Sequence, residues 1–361
     1  MLRYNDFAKL RMNAPITHVS SKVIIERKRL LPGPAKILVR KGQIVKAVDP
    51  VVEGIINPAH ILLDAARGLG VSIERADELI SCKPGAIVSR GDLLAGPVGL
   101  TRRVVRAPEA GKIALIDQSK ILLELTERAQ QLRAGYQGEI VDLIAERGVV
   151  IHCDGALIQG IWGNGEIGQG LLKPLIDHPD QLIKPDMINE TYAGSVLVGG
   201  YCDDPLVFVD AEEISIQGIV LASLHPDLLD QAVKLEIPVL LVEGFGRHPM
   251  NKVVLDMITS LSGQFVTINA ERPNILTGTL PEMIVPGLGS SEKLKPVIID
   301  LFAPGKVVRQ VGSLDLGRAG ELVDFIDDIA LPNGTRVEAA RIRFEEEVFA
   351  DVPLANLEIL G

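Results

Sequence analysis

Between residues 195 and 285, continuous apolar runs alternate with segments of helical periodicity. SVLVGG and ISIQGIVLASL read as strands with no polar face. HPDLLDQAVKLE follows as a helix, IPVLLVEGFG as another buried strand, PMNKVVLDMITSLSG as a helix ending at Gly263, and QFVTINA as a further strand. A strand covered on both faces is apolar throughout, and two parallel strands need a crossover about as long as a helix. The alternation therefore predicts a parallel α/β unit within residues 195–299, closed by a proline- and glycine-marked connection from Pro273 to Pro296.

The unit is Rossmann-like in pattern, yet its glycines form no GxGxxG and no GxxxxGK[ST] occurs. No cofactor and no catalytic residue are assigned. Ligands of open α/β sheets bind outside the carboxyl ends of the strands. There the sequence places Glu243, Gly244, Gly246, Arg247 and His248, with Ser223 and His225 ending the preceding strand and Asn269 the following one. The helix start supplies free N–H groups, the glycines allow close approach, and Arg247 adds a charge for an anionic ligand. The structural alternative makes Ser223 a helix cap, Glu243 a brace for the loop, and Arg247 with His248 a subunit contact.

Other clusters are weaker. His152 and Asp154 share one side of a predicted strand and Cys153 the other, which is wrong for a Cys–His dyad. Cys202-Asp203-Asp204 reads as a polar turn before Pro205. Six histidines show no HxH or HxxxH pairing, so no metal is expected. Trp162, in a glycine-punctuated β segment over residues 135–194, is read as core. Three distant cysteines without a CxxC pair fit reduced thiols in the cytoplasm. No apolar leader and no run of membrane-spanning length is seen, so no membrane partner is expected.

Residues 20–60 and 84–125 read as two halves of one β-module within residues 1–134, each with a strand, a basic residue before Gly-Gln or Gly-Asp, and another short strand. The intervening residues, about 58–83, have helical spacing. VRKGQIVKAVDPV and RAPEAGKIALID resemble the barrel-sandwich hybrid of biotinyl and lipoyl domains. That family modifies a hairpin-tip lysine; here the tip reads Gly99-Leu100-Thr101-Arg102-Arg103, so the resemblance implies the shape without the swinging arm. From Ala303, short β runs alternate with Gly305, Gly312, Gly317, Gly320 and Gly334, and the Glu345–Glu347 run reads as a solvated turn. Residues 300–361 resemble a KOW motif, an SH3-like barrel, which implies partner binding.

Charge is distributed unevenly. Residues 1–134 hold 22 Lys and Arg against 13 Asp and Glu, residues 135–299 hold 9 against 22, and residues 300–361 hold 6 against 12. Arg27, Lys28, Arg29, Arg40, Lys41, Arg102, Arg103 and Arg106 are the candidate surface for an anionic partner. No aromatic residue lies between Phe7 and Tyr136, so base stacking is not expected there. The sequence thus predicts a multi-domain α/β and β protein: a non-enzymatic cytoplasmic scaffold or adaptor that docks a protein partner and forms homo-oligomers. Alternatives are a nucleic-acid or ribosome-associated KOW protein, and an α/β anionic-ligand-binding protein or enzyme using the 243–250 loop.

Overall fold

The computed structural model describes residues 13–55, 60–99, 102–125, 129–274, 279–287, 299–311, 318–345 and 348–361. The chain is mostly β. Strands β1 (Asn13–Thr17), β2 (Val19–Leu30), β3 (Ala35–Ile37), β4 (Ile44–Val45) and β5 (Pro50–Ile55) come first. A second run follows: β6 (His60–Asp64), helices α1 (Ala65–Leu69) and α2 (Ile73–Leu79), then β7 (Ile87–Val88), β8 (Leu93–Val98), β9 (Arg103–Arg106), β10 (Gly111–Asp117) and β11 (Lys120–Leu125). Asp64 and Ser72 cap the two helices through their side chains. Strands β12 (Ala129–Arg133), β13 (Gly138–Ile144) and β14 (Gly148–Gln159) complete the region.

Pairing shows that this region holds two copies of one module, one nested in the other. In the outer copy β5 pairs with β12, β4 with β13, β13 with β14, and β14 with β2. In the inner copy β8 pairs with β9, β7 with β10, β10 with β11, and β11 with β6. Register agrees as well: Gly138 faces Val45 where Gly111 faces Val88. Each long hairpin carries a bulge at the matching place, between Ile140 and Asp142 and between Ile113 and Leu115. Gly42 and Gly91 sit at φ 82° and 91° in equivalent turns, closed by Arg40 N–H donating to Gln43 and Ser89 N–H donating to Asp92. The expectation of two halves of one module is thereby corrected. Among the described residues no strand of 19–55 pairs with a strand of 87–125, because each run finds its partners within its own copy. Separate cores follow, around Ile25, Val52, Tyr136 and Ile151 in the outer copy and around Leu69, Leu94, Ile113 and Ile121 in the inner.

The outer copy continues into an 11-stranded sheet. Its further members are β15 (Trp162–Gly163), β16 (Ile167–Pro174), β17 (Ser195–Cys202), β18 (Gly218–Leu224), β19 (Val239–Phe245), β20 (Phe265–Asn269) and β21 (Glu282–Pro286). Strands β16 to β19 run parallel to their neighbours within this group. Helices α3 (Leu206–Glu213) and α4 (Leu229–Ala232) cover the face of Leu197, Ile219, Leu221 and Leu241. Helix α5 (Lys252–Ser260) covers the opposite face of Val198, Val220, Leu240 and Val242. Burial on both faces explains the unbroken apolar runs. Antiparallel strands flank this patch, β15 on one side and β20 on the other. The sheet thus takes strands from residues 19–45, 138–174 and 195–286.

The predicted helix after His225 is short. One turn over Pro226–Leu228 precedes the four residues of α4. Beyond it the buried Asn164 side chain donates to the carbonyls of Ala232, Leu235 and Ile237, taking up acceptors that further helical turns would use.

Strands β22 (Ile299–Leu301), β23 (Val307–Gln310), β24 (Ala319–Ala330), β25 (Arg336–Glu345), β26 (Val348–Pro353) and β27 (Leu357–Leu360) form the last sheet. β1 enters it from the other end of the chain, antiparallel to β22 and parallel to β27. Among the described residues none of the sheets is closed: this one ends at β22 and β26, not in the barrel expected for 300–361, and it draws a strand from residues 13–17. Gly312, Gly317, Glu346, Glu347 and most of the Pro273–Pro296 connection lie outside the described residues. Among the described residues no helix is long and apolar enough to cross a membrane.

Candidate functional site

The seven residues singled out at the strand ends do come together around β18 and β19, and several are already committed to structure. Ser223 is fully buried; its hydroxyl donates to the His248 carbonyl at 2.7 Å and accepts from the His248 N–H at 3.0 Å. His248 holds its ring against the Phe245 carbonyl at 2.9 Å, over Gly246. Gly244 and Gly246 adopt φ 102° and 100°, and a Cβ at Gly244 would strike Ile161. The helix cap foreseen for Ser223 belongs instead to His225, whose Nδ1 accepts from the Asp227 N–H at 3.3 Å. Arg247 is exposed.

Glu243 braces the loop, as the structural alternative expects. One carboxylate oxygen accepts from the backbone and the side-chain amide of Asn251, the N-cap of α5, at 3.0 and 2.7 Å. The other meets Arg309 of β23 at 2.9 Å. Arg309 also donates to Glu358 of β27 and to the Val242 carbonyl. Only 2% of the Arg309 side chain and 3% of the Glu243 side chain are exposed. Burial pushes the Glu243 carboxyl above its usual range, outweighing the pull of Arg309 and the Asn251 hydrogen bonds, and the Glu358 carboxylate adds a smaller push the same way. Sequence reasoning did not find Arg309, which sits 66 residues along the chain from Glu243.

The candidate basic surface divides. Lys28, Arg40, Lys41, Arg102, Arg103 and Arg106 are exposed. Arg27 and Arg29 instead turn to the inner face of β2 and form ion pairs. Arg27 grips Glu282 at 2.9 Å, and Arg29 meets Glu271 at 2.6 Å while its Nε donates to the Arg133 carbonyl at 3.1 Å. Strand alternation explains the split, since Arg27 and Arg29 share a face with Val23 and Ile25 while Lys28 points away.

These two pairs line a cavity of about 820 Å³ between β2, Tyr136 and the ends of β20 and β21. Its wall includes Gln159, Asn269 and Glu271 together with Ile16, Leu132 and Leu280. The Tyr136 hydroxyl is buried and has no hydrogen-bond partner among the described residues. Burial, with Glu282 adding to it, pushes this phenol well above its usual range, so it stays a neutral donor. Tyr136 carried no sequence signal beyond its place after the Arg133-Ala134-Gly135 turn.

His152 and Asp154 share one side of β14 at 3.1 Å, with Cys153 buried on the other. Burial raises the thiols of Cys153 and Cys202 to about 12, far from a nucleophile's range. Asp204 accepts from the Leu206 N–H at 2.9 Å, in the polar turn that leads into α3. Trp162 is half-buried, edge-on to Phe245 with centroids 5.5 Å apart. No group of three metal-ligating side chains occurs among the described residues. Compared with known proteins, the chain matches no family model and no curated sequence.

Proposed function

We propose that the chain is a non-enzymatic cytoplasmic scaffold or adaptor that docks protein partners and associates with copies of itself. One observation carries this reading. Each copy of the nested module exposes an isoleucine at the same register position, Ile44 opposite Glu139 and Ile87 opposite Lys112. They are 65% and 87% exposed. A single exposed isoleucine is ordinary, but its recurrence at one position of a duplicated unit fits a repeated docking point. The four parallel strands with helices on both faces support keeping the Rossmann-like description.

Light scattering at low and high salt tests self-association. Wild-type protein should exceed monomer mass, and Ile44→Lys with Ile87→Lys should return it to monomer. A monomeric wild type at both salt concentrations excludes self-association.

A second reading, contact with nucleic-acid backbone, is favoured by the exposed Arg40, Lys41, Arg102, Arg103 and Arg106. Binding to duplex DNA or RNA should then weaken steeply with salt, and binding independent of salt would exclude it.

A further inference from the structure

We propose that the cavity between β2, Tyr136 and the ends of β20 and β21 binds a small organic monocarboxylate, held by the Arg29 guanidinium. At about 820 Å³ the space matches small-molecule sites. Its two cations are unequal. Arg27 is closed off, with Glu282 only 4% exposed and bound through both oxygens. Arg29 is held in place by the Arg133 carbonyl, but its carboxylate partner Glu271 is 38% exposed. Glu271 can therefore turn to solvent at small cost and present the end of a fixed guanidinium fork, which suits the planar, two-oxygen edge of a carboxylate.

Charge selects the ligand further. Arg27 and Arg29, whose side chains share the cavity face of β2, are balanced by Glu282 and Glu271. Releasing Glu271 uncovers one positive charge, so one negative charge is matched and a phosphate dianion leaves an excess near Glu282. The unpartnered Tyr136 hydroxyl offers a second donor to an acceptor oxygen. Ile16, Leu132 and Leu280 give the carbon body an apolar wall.

Calorimetric titration of the full chain with butyrate, benzoate and inorganic phosphate tests the proposal. Saturable binding of at least one carboxylate and weaker binding of phosphate are expected. Glu271→Gln removes the internal competitor and should tighten carboxylate binding roughly fivefold. Tyr136→Phe, which removes one oxygen and leaves the ring packed, should weaken it roughly tenfold. Circular dichroism of both variants separates loss of binding from loss of fold. Absence of saturable carboxylate binding in both wild type and Glu271→Gln overturns the proposal. So does tighter binding of phosphate, or Glu271→Gln leaving carboxylate affinity unchanged or reduced.

Discussion

Arg309 of the C-terminal sheet and Glu243 of the parallel strands meet at 2.9 Å in a site from which water is excluded. The pair joins two sheets, and Glu358 on a neighbouring strand shares the same cation. Arg309→Met should leave two carboxylates uncompensated and cost about 3–5 kcal/mol, measured by urea unfolding. A loss below about 1 kcal/mol would show that the carboxylates find water or protons without structural penalty.

The same pair predicts a pH dependence. The folded-state pKa of Glu243 is raised, so its protonated form favours folding. Its contribution is fully present below the unfolded value near 4.5 and is lost as pH rises through the higher folded value. The stability difference between wild type and Glu243→Gln should move in favour of wild type as pH is lowered through that window. Urea titrations at stepped pH check the sign.

If the two nested copies are equivalent, they should respond alike to the same change. A Cβ at Gly111 would strike the Glu124 carbonyl, and one at Gly138 the His152 carbonyl. Gly111→Ala and Gly138→Ala should each cost about 1–3 kcal/mol by overpacking. Hydrogen exchange should place the first loss in the inner copy and the second in the outer.

Thiol labelling should separate the cysteines. Cys82 is partly exposed, whereas Cys153 and Cys202 are buried. A thiol reagent on the native protein should modify Cys82 first and the other two only on unfolding. Mass spectrometry of the labelled peptides gives the order.

Ser223→Ala should remove both bonds to His248, leaving its N–H only the 3.1 Å bond to the Gly246 carbonyl, and cost about 1 kcal/mol by thermal or urea unfolding. A stable variant would show that water replaces the hydroxyl.

The parallel strands were legible because two-sided burial leaves runs such as VLLV and GIVLA without polar interruptions. Helix α5 was legible because Asn251 caps it and Val254, Leu255 and Ile258 carry its period. The nested copies were visible only in part. Similarity between RKGQIV and SRGDLL pointed to repetition, but which strands pair depends on residues far apart in sequence. Val45, for instance, finds Gly138 across the whole inner copy. Long range also hid Arg309. An arginine in a short strand reads as a surface charge until the strand it faces is known, and Arg27 and Arg29 looked like surface cations for the same reason.

Placing β1 between β22 and β27 has a consequence for assembly during synthesis. Residues 13–17 leave the ribosome long before the strands on either side of them, so they wait unpaired while nearly the whole chain is translated. The inner module has only local contacts to make and can settle early, whereas the C-terminal sheet cannot be completed until both ends of the described chain meet. A ribosome stalled before residue 299 would therefore hold a chain with a folded middle and an open-edged strand, a substrate for chaperones that the finished protein no longer presents.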